Sequence, residues 1–215
     1  MTSPFIDFHT HKMKPQSHDL IQVINLFPEK IEATGYFTMG IHPWYIQKDN
    51  IEEWIYIIEH NILKNSILFI GECGLDKING PDLKLQESVF EKQIQLSKKY
   101  NLPLVVHCVK AYNEIILKKE SFDSIQPWIL HGYKGSIQLT KQLVAAGFYF
   151  SVHLAEDISV KMQESLKFIP IEKIFFETDD LETDIRECYY IYSELMKIEL
   201  NQLKKKLKEN FERIR

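Results

Sequence analysis

Short apolar runs alternate with amphipathic stretches along the whole chain, and that alternation most constrains its fold. The runs are PFIDFHTH, GYFTMGIH, SILFIGE, LPLVVH, QPWILH, GFYFSVH and KIFFETD, with DLIQVINLF as a further one. Each is short and rich in aromatic or β-branched residues, as a buried strand is. The stretches between them have helical character. IEEWIYIIEHNILK covers 51–64, and 82–100 places Val89, Phe90, Ile94 and Ser97 on one face. Shorter helices are expected at 111–119, 136–146 and 157–168. Residues 183–214 read as two helices with a break near Lys197 to Asn201. Strands alternating with helices imply βα units and a parallel sheet. About eight strands in 215 residues suggest a compact α/β fold, a (β/α)8 TIM barrel near the lower limit of roughly 200 residues. A doubly wound open sheet is the runner-up. Only 28 residues separate His11 from Gly40, and they include one strand candidate, so the first helix of the barrel is expected to be reduced or missing. No repeat, low-complexity segment or linker divides the sequence, which reads as one domain over 1–215.

Composition narrows the class. Apolar residues make up 45% and charged residues 26%, with a net charge of −4, as in an ordinary globular protein. That charge does not suggest a strong polyanion binder, although a local basic patch or a metal ion can still do such work. The start, MTSPFIDF, has no signal-peptide pattern, and no apolar run approaches the length of a membrane span. Cys73, Cys108 and Cys188 are odd in number and lack CxxC spacing. This fits free thiols in a reducing interior and predicts a cytoplasmic protein.

The ends of the runs carry the chemistry. Seven finish in His11, His42, Glu72, His107, His131, His153 or Asp179, and a barrel carries its active site where the C-terminal strand ends converge. In FIDFHTHK, His9 and His11 stand at i and i+2, expected on one side of a strand with Asp7 and Phe5. Two imidazoles aimed alike suit one metal ion. A single histidine after an apolar run is more often a hydrogen-bonded boundary residue; a ligand-type residue after nearly every strand is not explained that way. His18 and His60 read as surface residues. Cys73 and Cys108 should turn towards the helices as small core residues. Trp44 either packs or stacks on a base at the pocket rim. The tail LKKKLKENFERIR, basic on one face, reads as an amphipathic packing helix lined by Leu203, Leu207 and Phe211 or Ile214, with a nucleic-acid patch as the alternative.

The motifs FIDFHTH, MGIHPW, IGECGLD, LPLVVHC, HGYKG and FFETD, in this order from Phe5 to Asp179, resemble those of the TatD family of metal-dependent hydrolases. The resemblance implies a TIM barrel related to the amidohydrolase superfamily, and DNase or phosphoesterase activity. It also implies that His9, His11 and Asp179 hold one divalent ion, that His107 and His131 hold a second, and that Glu72 bridges them. His42 matches a family residue beside the site. The implied metals are magnesium or manganese in assays and often zinc in isolated protein. Such a dication pair attracts a phosphodiester, stabilises developing charge and lowers the pKa of water, giving a metal-bound hydroxide. Asp179 is the candidate general base and Glu72 the second catalytic carboxylate. The alternative for Asp179 is a helix N-cap, a role that Asp180 or Thr183 can also fill.

Val109 departs from the pattern, standing where many family members have arginine. Lys110 and Lys134 are candidates to meet a phosphate, or else solvated surface charges. His153 has no ligand role in the family pattern and either binds substrate or fills the barrel mouth. The leading reading is a two-metal phosphodiesterase acting on DNA or a small phosphodiester, with no membrane and no obligate protein partner. Two alternatives stand beside it: a hydrolase of a small ester, lactone or amide on the same barrel, and a non-catalytic metal-binding protein.

Overall fold

Aromatic and β-branched runs become strands where both faces are covered, and here they do so in chain order. A computed structural model describes residues 3–15, 17–28, 35–64 and 66–215. Among the described residues there are eight strands: β1 (Phe5–Thr10), β2 (Leu20–Leu26), β3 (Tyr36–Met39), β4 (Phe69–Asp76), β5 (Leu104–Val109), β6 (Trp128–Leu130), β7 (Tyr149–Val152) and β8 (Ile174–Phe176). They form one sheet in the order β1 to β8. The recorded pairs β1–β2, β3–β4, β4–β5, β5–β6 and β7–β8 are all parallel. A parallel bridge from Thr10 to Asp179 brings the first strand to the end of the last. The helices are α1 (Ile51–Leu63), α2 (Leu83–Tyr100), α3 (Tyr112–Ser121), α4 (Ile137–Ala145), α5 (Val160–Leu166), α6 (Ile185–Met196) and α7 (Leu200–Ile214). The fold is a (β/α)8 barrel. No helix lies between β1 and β2 or between β2 and β3 among the described residues, as the short 12–39 segment predicts; residues 29–34 of that segment lie outside the described set.

Packing divides the chain into two compact units: the segment up to Ile24 with His131–Ile214, and Asn25–Leu130 with Arg215. In the first, Phe8 of β1 stacks on Phe175 at 4.2 Å and meets Phe211 of α7 edge-on at 6.5 Å. Leu203, Leu207, Phe211 and Ile214 are all buried, so the tail is the amphipathic packing helix its sequence predicts. In the second unit, Val89, Phe90, Ile94 and Ser97 of α2 are buried, and Phe90 packs edge-on against Trp128 at 5.4 Å. Gly74 lets β4 approach β5: a Cβ there would stand 2.0 Å from the carbonyl oxygen of His107.

Several boundaries differ from expectation. β4 does not stop at Glu72 but runs to Asp76, every residue buried, because CGLD continues the ladder with β5 from Cys73–Val106 to Asp76–Val109. His107 likewise lies inside β5. Helix α5 starts at Val160, later than 157, because Ser159 caps it by accepting from the Met162 amide at 3.2 Å. Phe5 does not share a face with His9: it packs edge-on against Tyr189 of α6 at 5.0 Å. The β1–β2 register shifts between Asp7 and Thr10, so strict alternation does not carry along the strand. The cap of α6 is Asp184, which accepts from the Arg186 amide at 3.0 Å; neither Asp179, Asp180 nor Thr183 fills that place.

Candidate functional site

In the first unit, His9 of β1, His131, and Asp179, which follows β8, come together. Their donor atoms lie within 4.8 Å of one another, and His11 forms a similar group with Asp179 and Asp180. The Asp179 Oδ1 is 3.7 Å from His9 Nε2 and 3.5 Å from His11 Nε2. The His9 and His11 rings stand perpendicular at 5.2 Å, and His9 lies 4.5 Å from His131. Asp179 is held by its backbone: its amide donates to the His9 carbonyl at 3.0 Å, and its carbonyl accepts from the His11 amide at 3.2 Å. Its φ of +53° is a turn conformation that aspartate tolerates better than most residues.

Beneath this group lies a carboxylate that the strand-end pattern passes over. Glu177 is fully buried, accepts from the Gly132 amide at 2.5 Å, and has Oε1 3.8 Å from His131 Nδ1. Burial acts to raise its pKa, but the hydrogen bond and field of His131 and the field of His9 outweigh it and hold the group below its ordinary value. Asp7 shows the reverse balance. Burial lifts it to about 6 although the amide and hydroxyl of Thr178 donate to it.

In the second unit, His42, Glu72 and His107 form a group with donor atoms within 4.8 Å of one another. Glu72 Oε1 lies 3.1 Å from His42 Nε2 and 3.0 Å from His107 Nδ1. The Trp44 amide donates to His42 Nδ1 at 3.1 Å. That nitrogen is therefore unprotonated, and Nε2–H donates to Glu72. His42, expected among the substrate-binding residues, is buried and meets Glu72 in this arrangement. His107 Nε2 meets Asp76 Oδ2 at 3.2 Å. A histidine that gives one N–H to a carboxylate presents its other nitrogen as a ligand, here Nδ1 beside Glu72. Asp76 also accepts from Trp44 Nε1 at 2.6 Å and from the Ile78 and Asn79 amides at 2.7 and 2.9 Å. Burial opposes its ionisation, yet these bonds hold it at about 2.

Supporting residues fix this group from below. Asn25 Oδ1 accepts from the Glu72 amide and from the Thr38 hydroxyl, both at 2.8 Å. Two buried glutamines of α2 clamp the neighbouring backbone. Gln86 accepts from the Asp76 amide at 2.8 Å, and Gln93 does the same for Ile41 at 2.7 Å. Glu177, Asp76, Asn25, Gln86 and Gln93 were not singled out by sequence. The one available signal was a polar residue at an otherwise apolar position.

The remaining expected residues lie differently. His153 is half-buried, with Nδ1 3.2 Å from the Glu177 carbonyl, and lines a cleft of about 260 Å³ with Lys134, Asp157 and Lys161. Lys110 and Lys134 are exposed and make no ion pair among the described residues. Cys73 and Cys108 join neither group; burial pushes the Cys73 thiol well up and the Cys108 thiol to about 12, and Cys73 lies in the core while Cys108 is half-buried. All three cysteines are free. No helix among the described residues is long and apolar enough to cross a membrane. Each group offers imidazole nitrogens with carboxylate oxygens at close range, a donor set that fits a divalent cation.

Comparison with known proteins follows the same lines. A family model described as TatD related DNase matches residues 6–215. The chain is 31% identical over 151 residues to a protein of Salmonella typhimurium named 3'-5' ssDNA/RNA exonuclease TatD, covering 66% of this chain and 56% of that protein. It is 24% identical over 150 residues to the uncharacterized metal-dependent hydrolase YjjV of Escherichia coli K12, covering 67% and 57%. These alignments span little more than half the length of the curated relatives. A hydrolase TatD family protein from Entamoeba histolytica shares the fold, with a TM-score of 0.80 at 18% identity over 100% of this chain and 98% of that one. The E. coli YjjV structure gives 0.77 at 18% identity over 96% and 95%. By the family model's match to nearly its whole length, this chain belongs to the TatD-related DNase family.

Proposed function

We propose that this protein is a two-metal phosphodiesterase that hydrolyses single-stranded nucleic acid. The observation that carries the reading is the convergence of His, Glu and Asp donor atoms in two groups of a TatD-family chain. His9, His11, Glu72, His107, His131 and Asp179 supply the donors for two divalent ions, zinc, magnesium or manganese. Such ions offset phosphate charge and make water acidic near neutral pH. Asp179, one-third exposed at its side chain, accepts the proton of the attacking water. Glu72 accepts from His42 Nε2, which orients its carboxylate. Glu177 and Asp76 orient His131 and His107. Lys110, Lys134 and His153 meet the substrate's phosphates. The Salmonella relative's name supports a nucleic-acid strand as substrate. The family model's match over residues 6–215 supports one hydrolase domain over the whole chain, and three free thiols support a cytoplasmic place.

The test joins metal content to cleavage. After dialysis against magnesium, manganese or zinc, wild type should retain metal and cut an end-labelled single-stranded oligonucleotide, and chelator should stop it. His9→Ala and Glu72→Ala should each lose bound metal and at least 100-fold in rate. Variants that keep both would remove these residues from the site. Metal-loaded wild type that leaves the strand intact but opens a small ester, lactone or amide would redirect the substrate class.

A further inference from the structure

Three half-open aromatic rings stand around the His42–Glu72–His107 group. Trp44 is 46% exposed, Tyr45 47% and Phe27 36%. They connect ring to ring. Trp44 lies 4.9 Å from His42 and 5.6 Å from His107, Tyr45 lies 5.5 Å from His42, and Phe27 meets Tyr45 edge-on at 5.2 Å. Trp44 is also fixed. Its Nε1 donates to Asp76, the carboxylate that holds His107, and its backbone amide donates to His42. Packing alone gives no reason to anchor an indole so firmly and leave nearly half of it open beside charged donors. A rigid aromatic face is what an unpaired base needs, since it stacks at little entropic cost.

We propose that Trp44, flanked by Tyr45 and Phe27, is a stacking platform for an unpaired nucleobase of the strand being cut. The proposal rests on the function given above. In a duplex both faces of each base are already covered, so the platform selects single strands. Trp44 contacts the base and takes no part in proton transfer; it is a substrate-binding residue.

The other two tryptophans allow a direct test. Trp54 and Trp128 are buried, at 8% and 0% exposure, so Trp44 dominates any quenching by an added base. The full chain, in EDTA to prevent cleavage, is titrated with oligothymidylate and with an abasic deoxyribose-phosphate strand of equal length. Oligothymidylate should quench tryptophan fluorescence and the abasic strand should not. By anisotropy of labelled strands, Trp44→Ala should bind oligothymidylate roughly tenfold or more weakly. Trp44→Phe, which keeps a ring but loses the N–H, should stay within about threefold of wild type. The abasic strand should bind all three alike. Equal quenching by the two strands, no binding of either, or wild-type affinity in Trp44→Ala would each overturn the platform. So would association of wild type into dimers lost in Trp44→Ala, because the rings would then be a protein contact. Cleavage separates the two readings. Metal-dependent cutting with KM unchanged in Trp44→Ala removes the platform and leaves the phosphodiesterase. Base-specific quenching without cutting in any metal removes the phosphodiesterase and leaves a base-binding site.

Discussion

Asp7, inside β1, and Asp179, beyond the end of β8, differ in what surrounds them. Asp7 is fully buried, and burial lifts its pKa to about 6 against a reference of 3.8. Between those values the folded chain keeps a proton that the unfolded chain has lost. Folding stability therefore falls as pH rises from about 4 to 6 and stays lowered above that, by about 3 kcal/mol. In urea unfolding of the metal-free protein, wild type should lose stability relative to Asp7→Asn over this range; parallel pH profiles for the two proteins would contradict the assignment. At this scale the sequence showed the residues that end or interrupt apolar runs, since an imidazole or carboxylate in a hydrophobic strand needs a chemical reason. It did not show Glu177 or Asn25, whose work is to receive N–H groups of neighbours distant in sequence. It also could not show that His42 faces Glu72, because that follows from the turn at Pro43–Tyr45, where the Trp44 amide takes Nδ1.

Helices were legible from their 3.6-residue periodicity, not from their caps. Asp82, Ser136, Ser159 and Asp184 each accept from an amide two or three residues on. The break in the C-terminal segment falls at Lys197, whose φ of +54° ends α6. Strand ends were less legible. An apolar-run reading stops at the first charge, whereas β4 carries Glu72 inside a fully buried ladder and ends four residues later. Asp184 caps α6 and pairs with the Arg186 guanidinium at 2.8 Å. Asp184→Ala should cost about 1 kcal/mol in thermal unfolding and leave cleavage rates within twofold of wild type. A loss of cleavage comparable to that of a ligand variant would show that the cap also serves the site.

The whole molecule follows from the alternation of strand and helix, which in about 200 residues leaves few alternatives to a parallel barrel. The division into two compact units, one of them built from both ends of the chain, was not legible: it depends on which side chains pack together, not on any linker. Each unit carries its own group of ligand-type residues, and the central claim is that these serve metal-dependent phosphodiester hydrolysis with Asp179 as base. The most direct measurement is digestion of an end-labelled single-stranded oligonucleotide by wild type and Asp179→Asn, each with magnesium, manganese or zinc and with chelator. The account predicts cutting by wild type only with metal, and a loss of at least 100-fold in Asp179→Asn. Equal cutting by both proteins, or none by metal-loaded wild type, would contradict it.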